Sequence, residues 1–147
     1  VASAFRKQLS HCAFLVSTGN FRNFNHSSRI RQGFELTANK NKALVNNSRS
    51  IRQAMVTSDL DLLMHSFIQG WKIKKEFDGV LNPDIKKVID CIESSPATAF
   101  KLCGAGGGGY FLIFTKPDKR ITTRHYFESN GYQIVDVNFI NERVAVV

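Results

Sequence analysis

The chain has no apolar run long enough to cross a bilayer, and nothing in it pairs cysteines closely. Its three cysteines, Cys12, Cys91 and Cys103, are odd in number and far apart, which suits reduced thiols better than a disulfide framework. No Cys-x-x-Cys occurs, and His11, His26, His65 and His125 form no i, i+3 or i, i+4 pair, so a metal centre is not expected. No charged start leads into an apolar stretch and a cleavage site, so no secretory signal is expected and a cytoplasmic setting is. The sequons Asn25-His26-Ser27 and Asn46-Asn47-Ser48 are then chance matches. Repeats and low-complexity tracts are missing too. Acidic residues are the minority, 12 against 20 Lys and Arg, for a net charge of +8. That excess favours anionic partners such as phosphate esters, nucleotides or nucleic acid, but its dispersal along the chain does not choose among them.

What the chain does have is glycine in one place. Five of its 10 glycines fall within Gly104–Gly109, directly before the apolar run Tyr110–Phe114. The run reads as a buried strand. Gly104, Gly106 and Gly109 match G-x-G-x-x-G, but a helical segment lies upstream and a strand downstream, the reverse of a dinucleotide fingerprint. A Walker A loop would need Lys and Ser or Thr where Tyr110 and Phe111 stand. Two readings stay open: an anion-binding concavity of backbone N–H groups, or a tight connection where a neighbouring element packs on backbone. Glycine content alone gives packing the edge.

The rest of the chain reads as one domain of 147 residues, enough to bury a core. Cys12–Val16 reads as a strand, closed by the turn Ser17-Thr18-Gly19-Asn20. Asn23–Ser28 could cap a helix with Ile30 and Phe34 as first contacts, and Leu44, Ile51 and Met55 keep a thin helical stripe through a polar stretch ending at Thr57. Ser58–Asp78 is expected as a helix, with Ser58 as its cap and an apolar face from Leu60 to Trp71. Asn82 and Pro83 open another, buried through Ile85, Val88, Ile89 and Ile92. A helix from Lys116 to about Ser129 closes at Asn130-Gly131, followed by a strand Tyr132–Ile140 and, after a turn, a last strand Arg143–Val147. This order argues for an α+β fold, helices on one face of a mainly antiparallel sheet.

The stretch Lys101-Leu102-Cys103-Gly104-Ala105-Gly106-Gly107-Gly108-Gly109-Tyr110 resembles the third, C-terminal motif of the GHMP small-molecule kinases, which in several members reads K-L-[ST or L]-G-A-G-G-G-G. Trp71-Lys72-Ile73-Lys74-Lys75, Asn82-Pro83-Asp84-Ile85, and Ser17-Thr18-Gly19 followed by Arg22 resemble the branch that phosphorylates D-glycero-D-manno-heptose phosphates. The resemblance runs from about Ala13 to Val146. It implies a ferredoxin-like C-terminal domain over residues 1–147, belonging to an ATP- and Mg2+-dependent sugar phosphate kinase. No stretch matches the family's P-x-S-S-G-L-G-S-S-type motif, so the ATP-cradling half and the catalytic residues are expected in an N-terminal half outside this chain. The Val1 start fits such a fragment. Alone it is expected to fold without catalysing.

The site residues the resemblance implies are Lys101, Gly104, Ala105, Gly106, Gly107, Gly108 and Arg22, around a phosphate and an acceptor sugar. Cys103 stands where members often carry Ser or Thr, which removes any hydroxyl contact there. Trp71 with Lys72 and Lys75 could line a sugar site, although Trp71 on the apolar stripe is better explained as core. Other GHMP branches, such as mevalonate kinase, stay open. The rival from another class is a basic module binding RNA, supported by 12 Phe and the charge, but the RRM pattern is missing and nucleic acid is not the expected partner.

Overall fold

In a computed structural model of the chain, residues 1–19, 38–77, 79–104 and 106–140 are described. The elements run α1 (Ser3–Cys12), β1 (Ala13–Ser17), α2 (Ala38–Thr57), α3 (Leu60–Lys74), α4 (Pro83–Glu93), β2 (Ala99–Leu102), β3 (Tyr110–Phe114), a 3₁₀ turn (Pro117–Lys119), α5 (Arg120–Ser129) and β4 (Ile134–Asp136). β1 lies centrally, antiparallel to β3 on one side and β4 on the other, and β2 adds antiparallel to β3, for the order β2-β3-β1-β4. With α4 crossing between β1 and β2 and α5 between β3 and β4, this is the ferredoxin-like β-α-β-β-α-β plan with extra helices. The α+β expectation holds.

Register decides which side chains meet. Phe14 and Phe100 lie opposite Ile113, and Val16 and Leu102 lie opposite Phe111, so these six share one face. Ile85, Val88, Ile89 and Ile92 of α4 and Phe127 of α5 bury against it, with Phe127 edge-on to Phe14 at 6.1 Å between ring centroids. The two crossover helices thus cover the expected face. The other face is closed at one end, where Ala13, Ala99 and Phe114 pack with Phe5 and Leu9 of α1 and with Leu63 and Met64 of α3. α3 runs beside the edge strand β2 and reaches both faces: Phe67 stacks on Phe114 at 5.0 Å, and Trp71 tilts onto Phe100 at 5.6 Å.

Local chemistry explains the boundaries, including those that differ from expectation. At α4 the Asn82 side chain accepts from the Ile85 N–H at 2.8 Å, and Pro83 takes the first helical position, as read from sequence. At α3 the cap is Asp59, accepting from Leu62 N at 2.9 Å, and not Ser58. Ser58 instead makes the turn out of α2, with a left-handed φ of 58°. α3 stops at Lys74, short of Asp78, because the N–H groups of Glu76 and Phe77 turn back to Ile73 and Lys74 in tighter i to i−3 bonds.

Three elements differ from what the sequence leads one to expect. Cys12 ends a helix rather than opening a strand: α1 buries Phe5, Leu9 and Cys12 at i, i+4 and i+7. β2 was not anticipated at all. The expected strand Tyr132–Ile140 shrinks to Ile134–Asp136, the three residues that pair with Phe14–Val16 of β1. Val135 is exposed, whereas Val137 and Phe139 leave the ladder and pack along the α1 cluster, with the Phe139 N–H donating to Ser10 Oγ at 3.0 Å. The expected cap at Asn23–Ser28 with Ile30 and Phe34, and the last strand Arg143–Val147, lie outside the described residues. Among the described residues no helix is long and apolar enough to cross a membrane, and no group of three metal-binding side chains forms.

Candidate functional site

The glycine loop joins β2 to β3 at one end of the sheet. Its backbone is left-handed throughout the described part, with φ of 71° at Gly104, 122° at Gly106, 72° at Gly107, 154° at Gly108 and 98° at Gly109. Gly106 has a second reason to be glycine. A Cβ there would stand 3.1 Å from both Cα and Cγ2 of Val80, tight enough that the Val80 backbone would have to give by a few tenths of an ångström. Close packing, one of the two readings open from sequence, is therefore real at that position.

Three elements hold the loop by its carbonyls. Lys74 Nζ, from the end of α3, donates to Leu102 O at 2.9 Å and to Gly104 O. Asn82 Nδ2, from the cap of α4, donates to Gly107 O at 3.0 Å, while Gly107 N donates to Val80 O at 3.3 Å. Thr18, in the turn after β1, donates to Gly109 O through its N–H at 2.9 Å and its Oγ1 at 3.0 Å. In a trans peptide the carbonyl and the next N–H point in opposite directions. Fixing Gly107 O on Asn82 therefore turns the Gly108 N–H away from that side chain.

Of the candidate residues, Gly104, Gly106, Gly107 and Gly108 come together in this loop, and Lys101 is exposed on β2 beside it, lining the same cleft as Gly104. Ala105 and Arg22 lie outside the described residues. Cys103 is half-buried at the base of the loop, its Sγ 3.8 Å from Lys101 O. Trp71 is buried among Phe100 and Phe111 and serves the core. The anchors Thr18, Lys74 and Asn82 were not singled out as site residues, although each stood in a quoted stretch: a turn, a basic flank and a helix cap.

Charge around the loop is cationic, from Lys74 and Lys101, and no acidic side chain lines the adjoining cleft among the described residues. The groups with displaced titration lie elsewhere. Burial pushes the Cys12 thiol up, with Arg120 partly opposing, and burial also pushes up Cys91. Tyr132 is raised by burial and then by Cys91 and Asp90. Arg120 and Arg124 meet Asp136 Oδ1 at 2.7 and 2.6 Å, and Arg120 also donates to Ala13 O at 2.7 Å, which ties α5 to the start of β1. The loop with its lysines can hold an anion's oxygens. It carries no general base of its own.

Residues 51–133 match the family model described as GHMP kinases C terminal. A curated relative, the bifunctional fucokinase/GDP-fucose pyrophosphorylase of Arabidopsis thaliana, is 27% identical over 89 residues, covering 60% of this chain and 8% of that protein. Among solved structures, a protein of Campylobacter jejuni assigned as a sugar kinase superposes with a TM-score of 0.69 at 17% identity, over 97% of this chain and 40% of that one. The mevalonate kinase of Methanococcus jannaschii gives 0.66 at 18% identity, over 96% and 44%. The phosphomevalonate kinase of Streptococcus pneumoniae, solved with phosphomevalonate and AMPPNP, gives 0.68 at 14%, over 85% and 39%. The chain thus spans less than half the length of each.

Proposed function

Because the chain belongs to the GHMP kinases and forms their C-terminal domain, we propose that it is the C-terminal half of an ATP-dependent sugar kinase whose acceptor is a heptose phosphate. Lys101 and Gly104–Gly108 then shape the pocket for phosphate and acceptor, with Arg22 as a second contact to the substrate's phosphate. The observation that carries this reading is the left-handed loop held on three sides by Thr18, Lys74 and Asn82. Phosphoryl transfer is mostly positioning and charge neutralisation. A loop already fixed at three carbonyls needs little reordering when a phosphate arrives, and the lysines beside it offset the phosphate's charge.

The residues present fit a phosphate but not its metal. Backbone amides and two lysines suit phosphate oxygens, whereas Mg2+ takes carboxylates, and none lines the cleft beside this loop among the described residues. The nucleotide, the metal and the catalytic groups are therefore assigned to an N-terminal half, and this chain alone is expected to fold without turnover. ATP supplies the phosphoryl group. Three free cysteines support a reducing, cytoplasmic setting.

The test is a kinase assay on the full-length parent with ATP and Mg2+, using heptose phosphates, other sugar phosphates and mevalonate, beside the same protein carrying Gly106→Val. Phosphorylation of a heptose phosphate, lost in the variant with its circular dichroism intact, is expected. Turnover of mevalonate alone would overturn the branch. Turnover of nothing would redirect attention to RNA, tested by the salt dependence of single-strand binding.

A further inference from the structure

Beside the glycine loop lies a cleft of about 280 Å³, of which the kinase reading uses only the end formed by Lys101 and Gly104. Its walls come from α2, α3 and β2. The floor is buried and apolar, made by Trp71, Phe77 and Leu102, and the half-buried Leu44, Ile51 and Phe67 rise from it. Lys74 lines one end with its ammonium on loop carbonyls, and the remaining polar groups sit at the rim: Ser48 and Lys101 are exposed and Asn47 is half-buried. None of these three side chains has a hydrogen-bond or ion-pair partner among the described residues. Gly70 makes room for the Asn47 amide, since a Cβ there would fall 2.8 Å from Asn47 Nδ2. Among the described residues no acidic side chain lines the cleft.

An apolar pocket with a few convergent polar groups at its mouth is how small-molecule sites are built. Here the polar set is an ammonium, a hydroxyl and an amide, and its net charge is positive. We propose that this cleft binds a small amphipathic anion, its hydrocarbon body against Trp71, Ile51 and Phe67 and its carboxylate or phosphate on Lys101, with Ser48 and Asn47 donating. A cation of the same shape is repelled by Lys101, and a neutral alcohol forgoes the charged contact. The cleft shares Lys101 and Gly104 with the glycine loop. An occupant there would therefore touch the base of that loop. The proposal does not rest on the kinase reading, because it concerns binding without nucleotide or sugar.

Trp71 is the single tryptophan of the chain and lies on the cleft floor, so its emission reports occupancy. The full chain is titrated with octanoate, octyl phosphate, octylamine and octanol in the absence of ATP. Saturable change with either anion is expected, with none from octylamine and weaker change from octanol. Lys101→Ala should weaken the anion about tenfold, the effect of losing one charged hydrogen bond. Ser48→Phe should block binding by filling the mouth, and both positions are exposed, so folding is preserved. No saturable change with either anion, equal binding of octylamine, or an unchanged affinity in Lys101→Ala would each overturn the proposal.

Discussion

A left-handed glycine can be irreplaceable for two separate reasons, and two residues of this chain separate them. Gly131, closing α5 at φ 79°, has open space where a Cβ would go, so Gly131→Ala meets only the conformational cost of about 1 kcal/mol. Gly106 adds contact with the Val80 backbone to the same strain, so Gly106→Ala should lose about 2–3 kcal/mol. Urea unfolding of both variants checks this, and equal losses would mean that the Val80 contact carries nothing. Glycine clustering made the loop visible from sequence alone, because so many positive φ angles leave a compositional trace. The partners of the loop left none. Thr18 and Gly109 are brought together by the pairing of β1 with β3, and nothing near Thr18 in the chain announces it.

Elements whose ends are set by their own side chains were legible, and those set by distant neighbours were not. The start and buried face of α4 are legible because Asn82, Pro83 and four apolar positions all say the same thing. β2 is only four residues long, half of it exposed or partly so, and exists because β3 lies beside it. Asn82 shows how one side chain can hide a second role, since its oxygen caps α4 while its amide donates to Gly107 O. Asn82→Asp keeps the acceptor and loses the donor. Asn82→Ala loses both. The first should leave α4 intact while speeding hydrogen exchange at the Gly107 and Gly108 amides, and the second should also cost about 2 kcal/mol in thermal or urea unfolding. If both variants exchange at the loop as the parent does, the tie to Asn82 does not hold the loop.

At the scale of the molecule, three buried or half-buried acids titrate in the same direction. Burial raises Cys12 and Cys91 above their ordinary value near 9.0 and Tyr132 above 10.0. Each keeps its proton to higher pH in the folded chain than in the unfolded one. Below the ordinary values both states are protonated and stability is undiminished; above them the unfolded chain ionises first and stability is lost as pH rises towards the folded values. The thermal midpoint should therefore fall between about pH 8 and about pH 10.5, less steeply in Cys91→Ala. A flat profile would show that these groups stay as hydrated as in the open chain. The order β2-β3-β1-β4 also has a bearing on how the chain is made. β1 emerges first among the strands, yet its neighbours follow roughly a hundred residues later, so the sheet depends on distant contacts and closes slowly. A ribosome completes α2, α3 and α4 while Phe14 and Val16 still lack the strand that buries them, and a chain cut anywhere before β3 leaves β1 with neither of its neighbours.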